Sequence, residues 1–234
     1  MRFILSLISE SLGIISGWCL RRQRITISPN SSVRVNLGCG LEVAPGWINI
    51  DGSPNALVAQ MPRWLHRLAY RFSGARLYHD EASYCSRLTC GRFVFHHLDY
   101  GIPINSNCVD YVYSSHFLEH LDRSAAFMLL KEIYRTLKLG GIVRIVVPDL
   151  EHAWKMYQSG QTERMLRDYF FVDHQAGFSK HRWAYDFKLL SEALTAAGFN
   201  HVARMALGEG AVPDIDVLDN RAEYSLFVEA IKDN

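Results

Sequence analysis

Two glycines and an aspartate, each at the end of a predicted strand, have the chemistry to hold a nucleoside. Gly38 and Gly40 close the strand-like run VRVNLGCG, and glycines there let the backbone approach a ligand closely. Asp51 ends the next such run, GWINID, where a carboxylate can accept hydrogen bonds from both hydroxyls of a ribose. Each signal alone fits an ordinary turn, but the pair predicts a nucleoside site.

The glycine loop lacks the third glycine of a dinucleotide-binding motif, since Leu41, Glu42 and Val43 follow Gly40. That glycine serves pyrophosphate binding at a helix N-terminus, so its absence disfavours a dinucleotide such as NAD. The stretch between Gly40 and Gly46 is also too short for a crossover helix. We expect a stretched crossover and one uncovered face of the sheet, filled in part by an N-terminal helix.

Alternating strand-like and helical runs must position these residues, and they predict an α/β fold. Helices are expected over 119–138, closed by Gly140 and Gly141, and over 186–197, closed by Gly198; 57–72 and 150–170 are also helical in pattern. The predicted strands are Val33–Leu37, Trp47–Ile50, Phe93–His97, Tyr111–Ser114, Val143–Val147, His201–Leu207 and Ser225–Ile231. We expect the last two to form an antiparallel pair at the sheet edge.

Two further motifs follow in order, HLDYGIPINSNCVDYVYSSHFLEH over 97–120 and LKLGGIVRIVVPD over 137–149. With these four motifs the chain resembles the class I S-adenosylmethionine (SAM)-dependent methyltransferases. It is most similar to small bacterial predicted methyltransferases (Methyltransferase-11-like) that are often linked to surface-polysaccharide synthesis. The resemblance covers 33–150, and more weakly 181–231. It implies a Rossmann-like, doubly wound, mostly parallel sheet with an antiparallel C-terminal edge, and SAM as cofactor.

The resemblance also implies which residues contact SAM. Asn36 stands where the family often has an acidic residue, so it brings no charge to meet the cofactor's ammonium group. The implied contacts are Asn36, Gly38, Cys39 and Gly40 with the amino-acid and ribose portions, Asp51 with the ribose hydroxyls, Asp99 with the adenine amino group, Leu98 and Tyr100 beside the ring, and Ser115 and His116 at the methionine end.

The sulfonium of SAM already makes its methyl group electrophilic, so the protein mainly aligns a nucleophile and no metal is required. His116 is the candidate general base, with a structural or substrate-lining role as the alternative. Glu119 and His120 are expected at the start of the following helix, as cap and surface residues. Asp149 is either a substrate contact or a helix N-cap.

The segment from 170 to 185 is rich in aromatic, histidine and basic residues, a composition that fits an acceptor-binding lid or a packed loop. Its tentative substrate contacts are His174, His181, Arg182 and Tyr185. No histidine of the chain shows the helical spacing of a metal motif, so metal binding is not predicted.

Composition narrows the remaining possibilities. The chain has 234 residues, with 25 Lys and Arg against 24 Asp and Glu, so a duplex nucleic acid partner is not expected. Its 5 cysteines are odd in number and lack CxxC spacing, which favours a reducing, cytoplasmic setting. We expect one domain over 31–234, with an insertion at 55–91 and the lid-like segment at 151–185.

Residues 1–30 are expected to form an apolar helical appendage. The run from 3 to 20 is apolar and precedes Arg21, Arg22 and Arg24, so three interpretations remain: a helix packed on the domain, an interfacial membrane helix giving peripheral contact, or a span. The sequence therefore predicts a methyltransferase acting on a small molecule or a glycan- or lipid-linked sugar. A non-catalytic nucleoside-binding or protein-interaction protein is the alternative.

Overall fold

Seven strands form one mixed sheet in the order β3-β2-β1-β4-β5-β7-β6. The computed structural model describes residues 24–27, 32–170, 180–219 and 221–233. Neighbouring strands among β1 to β5 are parallel, whereas β7 is antiparallel to both β5 and β6. The predicted fold class is therefore confirmed. The strands are β1 (Arg34–Leu37), β2 (Ile48–Asp51), β3 (Arg92–Phe95), β4 (Val109–Ser115), β5 (Leu137–Pro148), β6 (Asn200–Met205) and β7 (Ser225–Ile231).

Helices flank the sheet, and four of them begin at an aspartate whose carboxylate accepts a hydrogen bond from a backbone N–H of the first turn. No helix within the described residues is long and apolar enough to cross a membrane. The helices are α1 (Pro54–Ala59), α2 (Arg63–Phe72), α3 (Glu81–Leu88), α4 (Arg123–Thr136), α5 (Leu150–Gln158), α6 (Thr162–Met165), α7 (Phe187–Ala197) and α8 (Ile215–Leu218).

The main core lies between the sheet and helices α4 and α7. Strand β5 is central, and its run Val143–Val147 is fully buried because helices or loops cover both faces of the sheet. Arg144 interrupts that apolar run and is itself buried, paired with Asp219 and Glu229. Helix α7 ends at Gly198 in the left-handed conformation, as predicted.

The helix predicted over 119–138 is shorter at both ends. Asp122 caps α4, so the helix starts only at Arg123, and Leu137 pairs with Val109 as the first residue of β5. Gly140 and Gly141 therefore lie inside a strand segment and do not close the helix. Gly141 fits there because a Cβ would lie 2.9 Å from the Lys138 carbonyl oxygen.

The crossover from β1 to β2 contains no helix, which confirms that prediction. The face of the sheet beside it is covered in part by the segment around α8, where Val212, Ile215 and Leu218 pack with the buried ring of Trp47. Asp214 fixes this segment, since its Oδ2 accepts hydrogen bonds from the Trp47 indole and the Arg34 guanidinium. The N-terminal helix predicted for this face lies outside the described residues.

Candidate functional site

The loops that follow β1, β2 and β3 are joined to one another at the carboxyl edge of the sheet. Backbone N–H groups of Gly38 and His96 donate to the carbonyls of Ile50 and Asp51, at 2.9 and 3.1 Å. In an open α/β sheet, ligands bind in the crevice outside these strand ends. The sequence-predicted cofactor residues therefore lie around one edge.

Asp51 is held between two of these loops. Its Oδ2 accepts from the N–H of Gly40 at 2.8 Å and its Oδ1 from the N–H of Ser53 at 2.6 Å. A carboxylate has about four lone-pair sites, so two remain for the hydroxyls of a ribose. The Ser53 hydroxyl is buried and has no hydrogen-bond partner among the described residues, which adds a polar atom beside the carboxylate.

The two glycines of the first loop differ in their surroundings. Both have positive φ, +63° at Gly38 and +53° at Gly40, a region that favours glycine. A Cβ on Gly38 would collide with the ring of Phe117, whereas beside Gly40 there is nothing within 4 Å. The open approach for a ligand is thus at Gly40, whereas Phe117, which no sequence pattern singles out, covers Gly38.

The side chains of Asn36 and Cys39 are used within the fold, and the contacts with the cofactor that the resemblance implies for these residues stay a prediction. The Asn36 amide is buried and donates to the carbonyl of Glu42 at 2.8 Å, so it fixes the β1–β2 loop. The Cys39 side chain packs in an apolar cluster. Burial and the nearby Asp51 carboxylate raise the pKa of the Cys39 thiol, which stays protonated.

After β3, residues Leu98–Tyr100 form a short 3-10 turn. Leu98 packs against the main core, while Asp99 and Tyr100 are exposed and free to meet an adenine. At the end of β4, the Ser115 hydroxyl is buried without a hydrogen-bond partner among the described residues. Glycines, carboxylates and unpaired hydroxyls at one edge fit the groups of a nucleoside such as that of SAM.

Each ring nitrogen of His116 lies near another side chain. Its Nε2 lies 3.0 Å from the Ser225 hydroxyl and its Nδ1 lies 3.4 Å from Oε1 of Glu119. Its φ of +50° is unusual for a residue with a side chain, and its N–H donates to the carbonyl of Val146. These contacts favour the structural alternative for His116 over the general base, which stays a prediction.

Glu119 and His120 lie in a 3-10 turn before α4, so their prediction as cap and surface residues of that helix is wrong. The Glu119 side chain is only 1% exposed. Burial raises the pKa of its carboxyl, but interactions with the nearby His116 and His120 outweigh burial and hold the pKa below its usual value. A buried carboxylate therefore stands among histidines at the end of β4.

Among the tentative substrate contacts, Asp149 and Tyr185 have roles in the fold, and contact of either with a substrate stays a prediction. Asp149 caps α5 through Oδ1 and pairs through Oδ2 with Arg204, so its N-cap alternative is confirmed. Tyr185 is buried in the main core, and burial raises its pKa to about 12. Arg182 is exposed and His181 is half-buried, with its pKa lowered chiefly by burial. His174 lies outside the described residues.

A cavity of about 710 Å³ lies along α5, beyond the carboxyl end of β5. Its wall includes the exposed rings of Trp154 and Tyr157, which stack at 5.5 Å between centroids. The lining residues are Leu150, Glu151, Ala153, Trp154, Lys155, Tyr157, Gln158, Met165, Phe170 and Asp186. Apart from the helical pattern of 150–170, no sequence pattern predicts this cavity.

The fold is shared with solved methyltransferases. A SAM-dependent methyltransferase described as a possible histamine N-methyltransferase, from Thermotoga maritima, is 15% identical at a TM-score of 0.51, covering 99% of this chain and 93% of that one. The SAM-dependent methyltransferase SibL is 15% identical at a TM-score of 0.51, covering 88% of this chain and 51% of that one. At such identities the likeness establishes the fold.

The segment 56–145 matches the family model described as a methyltransferase domain. It includes the loop of Asp99 and the run from Ser115 to His120, but not Gly40 or Asp51. No curated protein matches the chain in sequence. The family match, over less than half of the chain, and the shared fold agree with the methyltransferase family that the motifs predict.

Proposed function

We propose that this protein transfers the methyl group of SAM to a small molecule or to a glycan- or lipid-linked sugar. The observation that carries the proposal is the Asp51 carboxylate, fixed between the N–H groups of Gly40 and Ser53 with two lone-pair sites left for a ribose. Asp99 and Tyr100 provide exposed polar and aromatic groups for the adenine.

SAM supplies an electrophilic methyl group when bound. The chain's part is to hold it at the strand ends and to align the acceptor. The cavity along α5 is the proposed acceptor site, because exposed aromatic faces such as Trp154 and Tyr157 suit sugar rings and lipid chains. All of these acceptor classes belong to the proposal.

A cytoplasmic location belongs to the same proposal. The described cysteines, Cys39, Cys85, Cys90 and Cys108, are all free, as expected in a reducing compartment. Peripheral membrane contact through residues 3–20 is a further prediction that falls outside the described residues.

Calorimetry with SAM and with its demethylated product tests the cofactor site. We expect micromolar binding by the unchanged protein and about 10- to 100-fold weaker binding by Asp51→Ala, because hydrogen bonds to a charged group contribute about 1.5–3 kcal/mol. Asp51→Asn keeps the shape of the side chain, and Asp168→Ala is a control at an exposed carboxylate. A folded protein that binds neither compound would refute the proposal.

Transfer of labelled methyl groups from SAM to pooled cell extract then separates an enzyme from a non-catalytic binder. We expect label in a low-molecular-weight or glycan fraction. Binding of SAM without any transfer would favour the non-catalytic alternative.

A further inference from the structure

Glu119, His120 and His181 meet at the end of β4, although His181 is far from the other two along the chain. One ligand atom of each lies within 4.8 Å of the others. The Nε2 of His120 is 3.9 Å from Oε1 of Glu119. Two ligands of one zinc ion lie about 3.3 Å apart, given metal–ligand distances near 2.0–2.1 Å, so small side-chain shifts would bring these atoms into coordination.

Backbone carbonyls fix the tautomers of both histidines. The Nδ1 of His181 lies 2.7 Å from the carbonyl oxygen of Tyr169, and that of His120 lies 3.2 Å from the carbonyl oxygen of Lys180. A carbonyl oxygen only accepts, so each Nδ1 carries the hydrogen. In the neutral ring Nε2 is then left with its lone pair, the arrangement that orients histidine ligands of metals.

Hydrogen bonds also fix the tautomer of His116, which borders the group of three. The Ser225 hydroxyl donates its hydrogen to the carbonyl of Arg221 at 2.8 Å, so it accepts from Nε2–H of His116. The neutral His116 ring therefore turns the lone pair of Nδ1 toward Glu119, at 3.4 Å. His116 lies outside the group of three and borders it.

The Glu119 carboxylate lacks the partners that its burial demands. Both of its oxygens are buried and have no hydrogen-bond partner among the described residues. Buried charges are ordinarily paired or coordinate a metal, and here acceptor atoms face one another. A cation at their centre would turn this repulsion into attraction.

We propose that Glu119, His120 and His181 bind one divalent transition-metal ion, of which Zn²⁺ is the best fit for two imidazoles and a carboxylate. Three protein ligands leave a coordination position open. The N–H groups of Arg182 and Trp183 donate to the carbonyl of Glu119, so the segment that bears His181 is anchored to the turn that bears the other ligands.

The open position gives the ion a role that rests on the proposed function. A hydroxyl oxygen of the acceptor, once coordinated, has a lowered pKa and loses its proton to solvent or a nearby base. The oxygen then forms a bond to the methyl carbon of SAM as the carbon–sulfur bond breaks, and the electron pair of that bond stays on sulfur. The acceptor class implied is a hydroxyl compound.

Equilibrium dialysis of the full chain against Zn²⁺, with Co²⁺ absorption as a coordination-sensitive signature, tests the site. We expect one ion per chain, and at least about 10- to 100-fold weaker binding in Glu119→Gln, His120→Ala and His181→Ala. His79→Ala is the matched control at a histidine outside the cluster and is expected to bind as the unchanged protein does. Circular dichroism identifies any variant that fails to fold, and Glu119→Gln preserves the side-chain shape.

The outcomes separate this proposal from the proposed function. The metal site is overturned if the folded protein binds no metal, or if all three ligand variants bind it as tightly as the unchanged protein does. Calorimetry with SAM is unaffected by either result. If the ion binds but SAM does not, the metal site stands and the methyltransferase proposal fails. Charge compensation by protonated histidines in place of an ion would appear as a folded protein that binds no metal.

Discussion

Backbone groups hold the single side chains of the candidate site in place. The Asp51 carboxylate accepts hydrogen bonds from two N–H groups, which fix it at the end of β2 with lone pairs left for a ribose. Asn36 lies in an equally suggestive motif, yet its amide is used within the loop. Which direction a side chain takes depends on neighbours that are distant in sequence, such as Phe117 above Gly38.

His96 leads to a prediction about pH. The ring is buried, its Nε2 donates to the carbonyl of Gly101 at 3.0 Å, and its Nδ1 has no hydrogen-bond partner among the described residues. Burial is the main cause that lowers its pKa. The unfolded chain, with a histidine pKa near about 6.5, then binds a proton that the folded chain does not.

The free energy of unfolding is thus expected to be highest at pH values above about 6.5 and to fall as the pH drops toward the lower pKa of His96 in the folded chain. Urea unfolding between pH 7.5 and pH 5 measures this dependence. The slope is expected to be shallower in His96→Gln, which keeps a hydrogen-bond donor, while His181 contributes equally to both proteins. Identical slopes in the two would contradict the prediction.

At the scale of elements, local sequence predicts the strands and most of the helices, but not helices α3 and α8 and not all of the ends. Alternation and β-branched runs identified every strand of the sheet, and Gly198 marked the end of α7. The sequence places the start of α4 too early because Glu119 and His120, which precede the Asp122 cap, themselves resemble a helix start. Gly140 and Gly141 resembled a helix end, but the pairing of Leu137 with Val109 extends β5 over them.

Helix α5 supplies the exposed aromatic wall of the acceptor cavity. Trp154 is 59% exposed, so its removal disturbs little of the core. We expect Trp154→Ala to raise KM for the acceptor about tenfold, since a lost aromatic contact is typically about 1.5 kcal/mol, and to leave the Kd for SAM unchanged.

Steady-state kinetics with the acceptor fraction from cell extract, together with calorimetry, provide the measurement. Met128→Ala, at an exposed apolar residue of α4, is the control. An unchanged KM in Trp154→Ala would remove the cavity from the acceptor site.

At the scale of the whole molecule, contacts between segments that are distant in sequence fix features that sequence patterns do not predict. Asp214 fixes Trp47 across the β1–β2 loop, and His181 reaches Glu119 from beyond α6. A periodic pattern reports which face of an element is buried, but not what covers it. The strands of the sheet could therefore be predicted, whereas their order and the buried charged clusters could not.

Arg144 joins β5, β7 and the segment before α8. Its guanidinium is fully buried, pairs with Asp219 and Glu229, and also donates to the carbonyls of Glu209 and Ala206. We expect Arg144→Met to lower the free energy of unfolding by about 3–5 kcal/mol, because it leaves two buried carboxylates without their cation.

Chemical denaturation measures this loss. Lys138→Met breaks the half-exposed pair with Asp110 and is the control, expected to cost less than about 1 kcal/mol. Equal losses of the free energy of unfolding in the two variants would show that the buried Arg144 cluster contributes no more stability than a half-exposed ion pair.

The placement of β7 between β5 and β6 has a consequence for synthesis on the ribosome. The order β5-β7-β6 means that β6 emerges before the strand to which it pairs, and that the edge of β5 over Ile142–Pro148 stays open until Ser225–Ile231 have been made. An unpaired apolar edge invites association with other chains. The nascent chain thus passes through a long interval in which aggregation competes with completion of its sheet.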